Sequence, residues 1–482
     1  MIKFYNFLKI ASQHKFKIYF FILIFITLVT RFDQLGYSHY YGDETKTFYI
    51  DKTKPAIDFF LNQRKGPMQF FVVWTIEKLT QSYDETINRI PFAIASLISV
   101  IGFYFVVKKL FEKNVYSSQI ATIASFMFSL SGFFIAFGRT VQYQSFVLLF
   151  GIGAVLLFLY KRPILSGIML GLGLLSHYDA VFYLIPIATL IFLKEATNYK
   201  KISLFVFSMF LIAAPFYILY FFSGNFNLNT LPYIQNRVSG NGVLPNNSLL
   251  TISTYNPNYL YIIVLAFSLF TIFKTVKNIK NYYQFPEQIV LIGWFLFPFI
   301  LFEVIFSSPG THILNYLVPI IILSAVGIIE VFNFLKNKIV KSIGVVLIHL
   351  IIISITITQI NTFTPRLHQG YPWINDISKD KYQLFLYGFP YDRGWKEIGT
   401  YLLAQRDFDN FYTNDDIETA AFYLYPKPTF KYNPTYYIEV LNNQQFKTED
   451  PNFQKVFNYT LQKEIFKDGV KVANIYKRGQ RK

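Results

Sequence analysis

The 482-residue sequence is 53% hydrophobic and only 15% charged, and it holds no cysteine. A soluble domain carries about a quarter charged residues, so this composition excludes a simple soluble enzyme, a disordered chain and a fibrous repeat; the missing cysteines exclude disulfides, thiolate metal sites and a Cys nucleophile. Most of the net charge of +17 sits before residue 361, where 28 Lys/Arg face 14 Asp/Glu. Cations between apolar runs are a membrane-topology pattern rather than a basic face for nucleic acid.

The chain opens with Lys3, Lys9, Lys15 and Lys17, followed by the apolar run IYFFILIFITLVT. Arg31, Phe32 and Asp33 follow the run where a signal peptide would have a small-residue cleavage site, so it reads as an uncleaved first span. Further spans are predicted near 87–107, 115–138, 141–160, 163–176, 179–193, 202–222, 257–273, 287–306, 312–334 and 339–360, eleven in all. The 163–176 run is short, and its Gly167, Gly171 and Gly173 predict close helix packing. Alternate connections gather 18 Lys/Arg against about three acids, which predicts that they and the N-terminus are cytoplasmic. The other set, including residues 33–86, the turns at Arg139, 176–179 and 307–311 and the loop 223–256, then faces outward, as does everything after residue 360.

From residue 361 the composition turns polar. QLFLYGF and DNFYT read as strands, GWKEIGTYLLAQ and DIETAAFYLY as helices, and EIFKDGVKVANIY as a hairpin turning at Asp468-Gly469. The predicted fold is therefore a polytopic α-helical membrane domain, residues 1–360, with a small external α/β or α+β domain, residues 361–482.

The chemistry is concentrated in the first outward loop, 31–86. Asp43 and Glu44 are adjacent carboxylates in YSHYYGDETKTFYI, and Arg64 and Lys65 precede the amphipathic run MQFFVVWTIEKL, which is predicted to lie on the membrane surface. An Asp-Glu pair in the first outward loop, then GPMQFFVVW, then NRIPFAIASL, resembles the opening of the polyprenyl-phosphate-sugar glycosyltransferases of the GT-C fold. These include the protein O-mannosyltransferases and the aminoarabinose transferases of lipid A (glycosyltransferase families 39 and 83). The resemblance continues through SFMFSLSGFFIAFGRTVQYQSFVLLF, GIMLGLGLLSHYDAVFYLIPI and FSSPGTHILNYLVPIIIL and covers most of residues 30–335.

The resemblance implies transfer of a sugar from a polyprenyl- or dolichyl-phosphate donor to a hydroxyl of a protein, lipid or glycan, at the outer face of the cell membrane. Asp43 would be the general base, and Glu44 would assist it or bind the acceptor or a metal. A lipid phosphate leaves as a stable anion and needs no general acid, unlike the alkoxide expelled by a glycosidase. It needs cations instead. Arg139, at the outer end of its span and where the family often has Arg, is the first candidate, and Arg64 and Lys65 are the next. The family often has Lys where this chain reads SSPGTHILNY, so His312 stands near that place. His312 is open to reading as a metal ligand with Glu44, a hydrogen-bond donor or a helix-start residue, and a divalent metal cofactor stays an open alternative. His177, Asp179 and Arg237 are further residues that would line the site. Glu303 lies within an apolar helix and is expected to face the bundle interior or the external cavity. The loop 223–256 is expected to cover the site as a flap. An O-antigen-type polymerase or ligase would place its main loop late and rich in Arg. A transporter would show several buried charges and an internal repeat.

Overall fold

The computed structural model describes residues 2–195, 199–239, 248, 252, 255–278, 280, 286–306, 310–364, 388–390, 392–432, 434–441 and 458–479. Helix α1 (Ile2–Phe32) carries the first apolar run. The loop that follows holds α2 (Ala56–Leu61) and α3 (Met68–Thr80). Phe71 and Leu79 of α3 are exposed while Phe70, Val73 and Glu77 are buried, so α3 packs one side inward and turns an apolar side out.

Among the described residues six helices are long and apolar enough to cross a bilayer: Glu85–Leu110, Tyr199–Phe222, Asn258–Lys277, Pro286–Ile305, Gly310–Phe334 and Lys338–Phe363. They match six of the runs read from the sequence to within a few residues, and make the chain a multi-pass membrane protein. The first run lies within the unbroken helix α1, and the remaining four are helical but broken or short. The run expected over 115–138 breaks at Ser131 into Ser117–Leu130 and Gly132–Gly138, bent by 60°. The Asn256 side chain accepts from the Gly132 N–H freed by that break. Gln144–Leu159 has 16 residues and Pro163–Ser176 has 14, while 178–193 is a succession of 3₁₀, α and π turns. In line with the glycine pattern, Pro163–Ser176 packs tightly on Tyr199–Phe222, with Gly167 against Phe205 and Ser208 and Gly171 against Met209 and Ile212.

The last long helix ends at Phe363, three residues beyond the expected boundary. The C-terminal domain has a four-stranded sheet in the order β1-β2-β4-β3, from β1 (Phe411–Thr413), β2 (Tyr436–Val440), β3 (Tyr459–Lys467) and β4 (Val470–Arg478). β1 and β2 run parallel and the other pairs antiparallel. The β3–β4 hairpin turns at Asp468-Gly469, both with positive φ, as read from the sequence. The helices Trp395–Leu403 and Ile417–Tyr423 pack on this sheet around Trp395, Ile398, Phe411 and Ile438. Most of the expected strand QLFLYGF lies outside the described residues.

The domain packs against the end of the bundle that carries the 33–84 loop. Phe422 and Tyr423 join Tyr40, Phe48, Val73, Phe92 and Val141 in one apolar cluster, and Phe389 stacks on Phe363 and Tyr255. The loop after α1 is thus held between the spans and the C-terminal domain.

Candidate active site

Asp43 and Glu44 open a 3₁₀ turn, Gly42–Thr47, entered through Gly42 at φ +55°. At successive positions of a tight turn, neighbouring side chains point apart, and the two acids have different surroundings.

Glu44 is almost completely buried. Its Oε1 and Oε2 accept from Arg89 Nε and Nη2, both at 2.9 Å, as a two-pronged ion pair. Oε2 also accepts from the Tyr41 N–H at 3.1 Å, and Oε1 from the Val141 N–H at 2.9 Å. Arg89 in turn donates to the carbonyls of Leu35, Ser38 and His39. Four donors fill the four lone-pair directions of the carboxylate, leaving no ligand position for a metal or an acceptor. Arg89 was missed in the sequence; its signal was an Arg inside an apolar span, one turn from its start, which demands a partner.

Asp43 is half-buried and accepts from Lys65 Nζ at 2.6 Å, with Lys46 Nζ at 3.4 Å. Burial pushes its carboxyl up, but Lys65 and Lys46 outweigh burial and hold it below the usual carboxylate range. The group is therefore a carboxylate at neutral pH.

Lys65 is placed by the next residue. Gly66 has φ +100°, and a Cβ there would stand 2.3 Å from the Leu175 carbonyl oxygen, so only glycine lets the loop lean on the end of helix Pro163–Ser176. From there a continuous array runs inward. Lys65 Nζ lies 5.4 Å from the Tyr143 ring, and that ring stacks on His177 at 3.9 Å. His177 Nδ1 accepts from the Asp179 N–H at 3.0 Å. His312 Nδ1 donates to both Asp179 oxygens, at 2.8 and 2.9 Å. His312 Nε2 stands 3.4 Å from the Tyr233 hydroxyl. Two guanidinium groups stand over the Tyr233 ring, Arg64 at 3.6 Å and Arg237 at 5.1 Å from its centre. Burial pushes the Tyr233 phenol up, but His312, Arg237, Arg64 and Lys65 prevail and hold it below its ordinary value. An environment that favours a phenolate favours an added anion in the same way.

The array closes one end of an apolar cavity of about 720 Å³, walled by Met209, Ala213, Phe221, Phe302 and Phe306 among others, with Asp179, Tyr233, Arg237 and His312 at its polar end.

Seven of the residues singled out in the sequence thus form one assembly: Asp43, Arg64, Lys65, His177, Asp179, Arg237 and His312. Three stand elsewhere. Glu44 forms the buried pair described above. Arg139 is buried and donates to the carbonyls of Thr30 and Asp33, capping the end of α1 away from the cavity wall. Glu303 accepts from Tyr316 at 2.6 Å and Ser248 at 2.5 Å, satisfied within the bundle. Tyr143 and Tyr233, which link the assembly, carried no sequence signal among 36 tyrosines. The loop 223–256 contributes α-helix Leu231–Ser239, whose Tyr233 and Arg237 wall the cavity; much of the rest of that loop lies outside the described residues.

His177, Asp179 and His312 could hold a metal ion, their donor atoms lying within 4.8 Å of one another. Two imidazoles and a carboxylate are a donor set used by zinc. His312 therefore pairs with Asp179 and His177, and not with Glu44. His312 is already hydrogen-bonded to the Asp179 carboxylate, and His177 Nδ1 to the Asp179 N–H.

Residues 64–220 match the family model for dolichyl-phosphate-mannose-protein mannosyltransferase. The fold resembles ArnT from Cupriavidus metallidurans bound to undecaprenyl phosphate, with TM-score 0.54 and 12% identity over 95% of this chain and 97% of that one. It also resembles the archaeal oligosaccharyltransferase AglB from Archaeoglobus fulgidus in complex with an inhibitory peptide and a dolichol-phosphate. There the TM-score is 0.58, with 12% identity over 89% of this chain and 70% of that one. The chain has the GT-C fold. ArnT in the apo state gives TM-score 0.52 and 11% identity over 96% and 98% of the two chains. No curated protein sequence matches this GT-C chain. The resemblance read from the order of its segments, to GT-C glycosyltransferases of the protein O-mannosyltransferase and aminoarabinose transferase type, is borne out.

Proposed function

We propose that this protein is a membrane glycosyltransferase that moves a sugar from a polyprenyl- or dolichyl-phosphate donor to a hydroxyl of a protein, lipid or glycan at the outer face of the membrane. The observation that carries this reading is the 720 Å³ apolar cavity, lined at its polar end by Arg237, Tyr233 and His312, with Arg64 on the Tyr233 ring and Lys65, paired to Asp43, over the neighbouring Tyr143. A prenyl chain fits the apolar walls. Arg64, Arg237 and Lys65 are the cations for the phosphate, and Tyr233 and His312 are polar partners beside them. The family-model match and the undecaprenyl and dolichol phosphates bound by the two GT-C relatives support the same donor class.

Asp43 is the base. It takes the acceptor hydroxyl proton as that oxygen attacks the anomeric carbon, and the bond to the phosphate oxygen breaks with its electron pair staying on the phosphate. No acid is required for that departure. Arrival of the donor phosphate draws Lys65 away from Asp43 and leaves the carboxylate facing the acceptor. Glu44 acts through Arg89, holding the loop in place, and Arg139 holds α1. The N-terminus lies in the cytoplasm, and the first loop and C-terminal domain lie outside, where nucleotide sugars are absent and lipid-linked ones are presented.

The test is transfer of a labelled sugar from synthetic polyprenyl-phosphate donors by the purified protein, with donor binding measured in parallel and Asp43→Asn as the control. Reporter fusions after residue 363 check the side of the membrane. Transfer at the parent rate by Asp43→Asn would remove the assigned base; a donor that binds equally well to Arg64→Ala/Arg237→Ala would remove the assigned phosphate site.

A further inference from the structure

The loop that carries Asp43 is gripped from two directions, and one grip belongs to the C-terminal domain. From the bundle side, α4 (Glu85–Leu110) presents Glu85 and Arg89, four residues apart on one face. Arg89 holds Glu44 and the carbonyls of Leu35, Ser38 and His39. Glu85, almost fully buried, accepts from the Tyr423 hydroxyl at 2.5 Å and pairs with Lys396. Both of those partners come from the C-terminal domain. The same Tyr423 hydroxyl accepts from the Tyr40 N–H at 2.7 Å, three residues before Asp43.

Three more contacts surround this one. The Phe422 ring packs edge-on to Tyr40, at 5.4 Å, and tilted on Phe48, at 5.0 Å, on either side of the 3₁₀ turn. Buried Arg393 donates to His39 Nε2 while its other arm pairs with Asp415 at 2.6 Å. Glu418 holds Lys46 at 2.8 Å, the same lysine that stands beside Asp43.

We infer that Tyr423 is a positioning residue: through Tyr40 and Glu85 the C-terminal domain sets the place of Asp43 above the cavity, so that this domain completes a site whose reacting groups all belong to the bundle. The hydroxyl is suited to the task because it donates to one partner and accepts from the other, joining loop, span and domain at one oxygen. The inference rests on the reading of Asp43 as the base, since its catalytic consequence passes through that carboxylate.

The experiment uses the full chain in nanodiscs with the variant Tyr423→Phe, which keeps the ring and its packing and removes the hydroxyl. A displacement of about 1 Å at a reacting group costs on the order of 10²-fold in rate, so kcat is expected to fall roughly 10- to 100-fold. Affinity for the polyprenyl-phosphate donor should stay within about twofold, because the cavity and its cations are untouched. Amide hydrogen exchange over residues 37–48 should quicken. Glu85→Gln, which keeps an acceptor oxygen for Tyr423, should retain much more activity than Glu85→Ala. Parent kcat with parent exchange in Tyr423→Phe would overturn the inference. So would a parallel loss of donor affinity, kcat and thermal stability, which marks a merely structural group. The exchange measurement needs no turnover. If Asp43→Asn also transfers at the parent rate, the base assignment fails while loop exchange still decides whether the domain holds the loop.

Discussion

The cluster around Arg89 and the cluster at the cavity mouth are built in opposite ways. Around Arg89 the charges match: one carboxylate, one guanidinium, and backbone groups filling every remaining direction. At the cavity mouth they do not. Arg64 and Arg237 both face the Tyr233 ring, Lys65 stands over Tyr143, and Arg237 and Tyr233 line the apolar cavity beside the hydrogen-bonded Asp179-His312 pair. A matched, dry cluster holds a fold in one arrangement, whereas an excess of cations beside an open apolar cavity suits an anion with a hydrophobic tail. Asp43 shares in the second through Lys65, so adjacent acids in one motif divide into a buried scaffold and a half-buried carboxylate.

The comparison breaks most visibly at Asp43. Asp43→Asn is expected to lower sugar transfer about 10²–10⁴-fold, the usual cost of removing a general base, while donor affinity is retained; single-turnover transfer and donor binding measured together check both halves. Next comes the scaffold. Glu44→Ala leaves Arg89 charged and buried without its partner, which typically costs about 3–5 kcal/mol. Thermal unfolding in detergent should show a lowered midpoint with or without donor, and an unchanged midpoint would mean that Arg89 finds another partner. Truncating a cation at the cavity mouth should do the reverse. Arg237→Ala removes a charge-assisted contact to phosphate worth about 1.5–3 kcal/mol, so donor affinity should weaken by roughly one to two orders of magnitude with little loss of stability.

The smallest effect is a shift in pH dependence. Asp43 is held below the usual carboxylate range, so it stays ionised, and able to act as a base, to a lower pH than a free Asp. The sign follows from the depressed value. Pairing stability is present above the unfolded carboxyl's pKa of about 3.9 and is lost as pH falls through the lower folded value. Lys65→Ala removes the largest charge partner, so the acid limb of the rate profile should move up. A limb that stays in place would mean that Lys46 alone sets the ionisation.

Much of this layout is legible in the sequence because membrane segments obey local rules. A run such as 202–222 or 339–360 must be a helix whatever its neighbours, since lipid offers its backbone no partners. The β3–β4 hairpin is equally local, its turn written in Asp468-Gly469. The break at Ser131 is not, because it rests on an Asn256 carboxamide more than a hundred residues away. The same limit applies at the site. The Asp43-Glu44 pair is plain in the sequence, but nothing in adjacent letters says which acid finds Arg89. Asp179 and His312 are 133 residues apart and meet only through tertiary packing. Arg139 shows how position misleads: a cation at the end of a span suits a phosphate equally well, until the α1 carbonyls are seen to occupy it.

The short helix Pro163–Ser176, beside the cavity, has a mechanical consequence. Its 14 residues rise about 21 Å at 1.5 Å per residue, against a hydrocarbon layer of about 30 Å. A bilayer meeting so short a wall is expected to dimple there, at a cost of fractions of a kcal/mol per Å. The dimple would bring the headgroup plane down to the cations, so a long prenyl chain could stay immersed while its phosphate reaches them. Reconstitution into lipids of increasing acyl length should then slow donor loading progressively, because a thicker leaflet must deform further to reach the same depth.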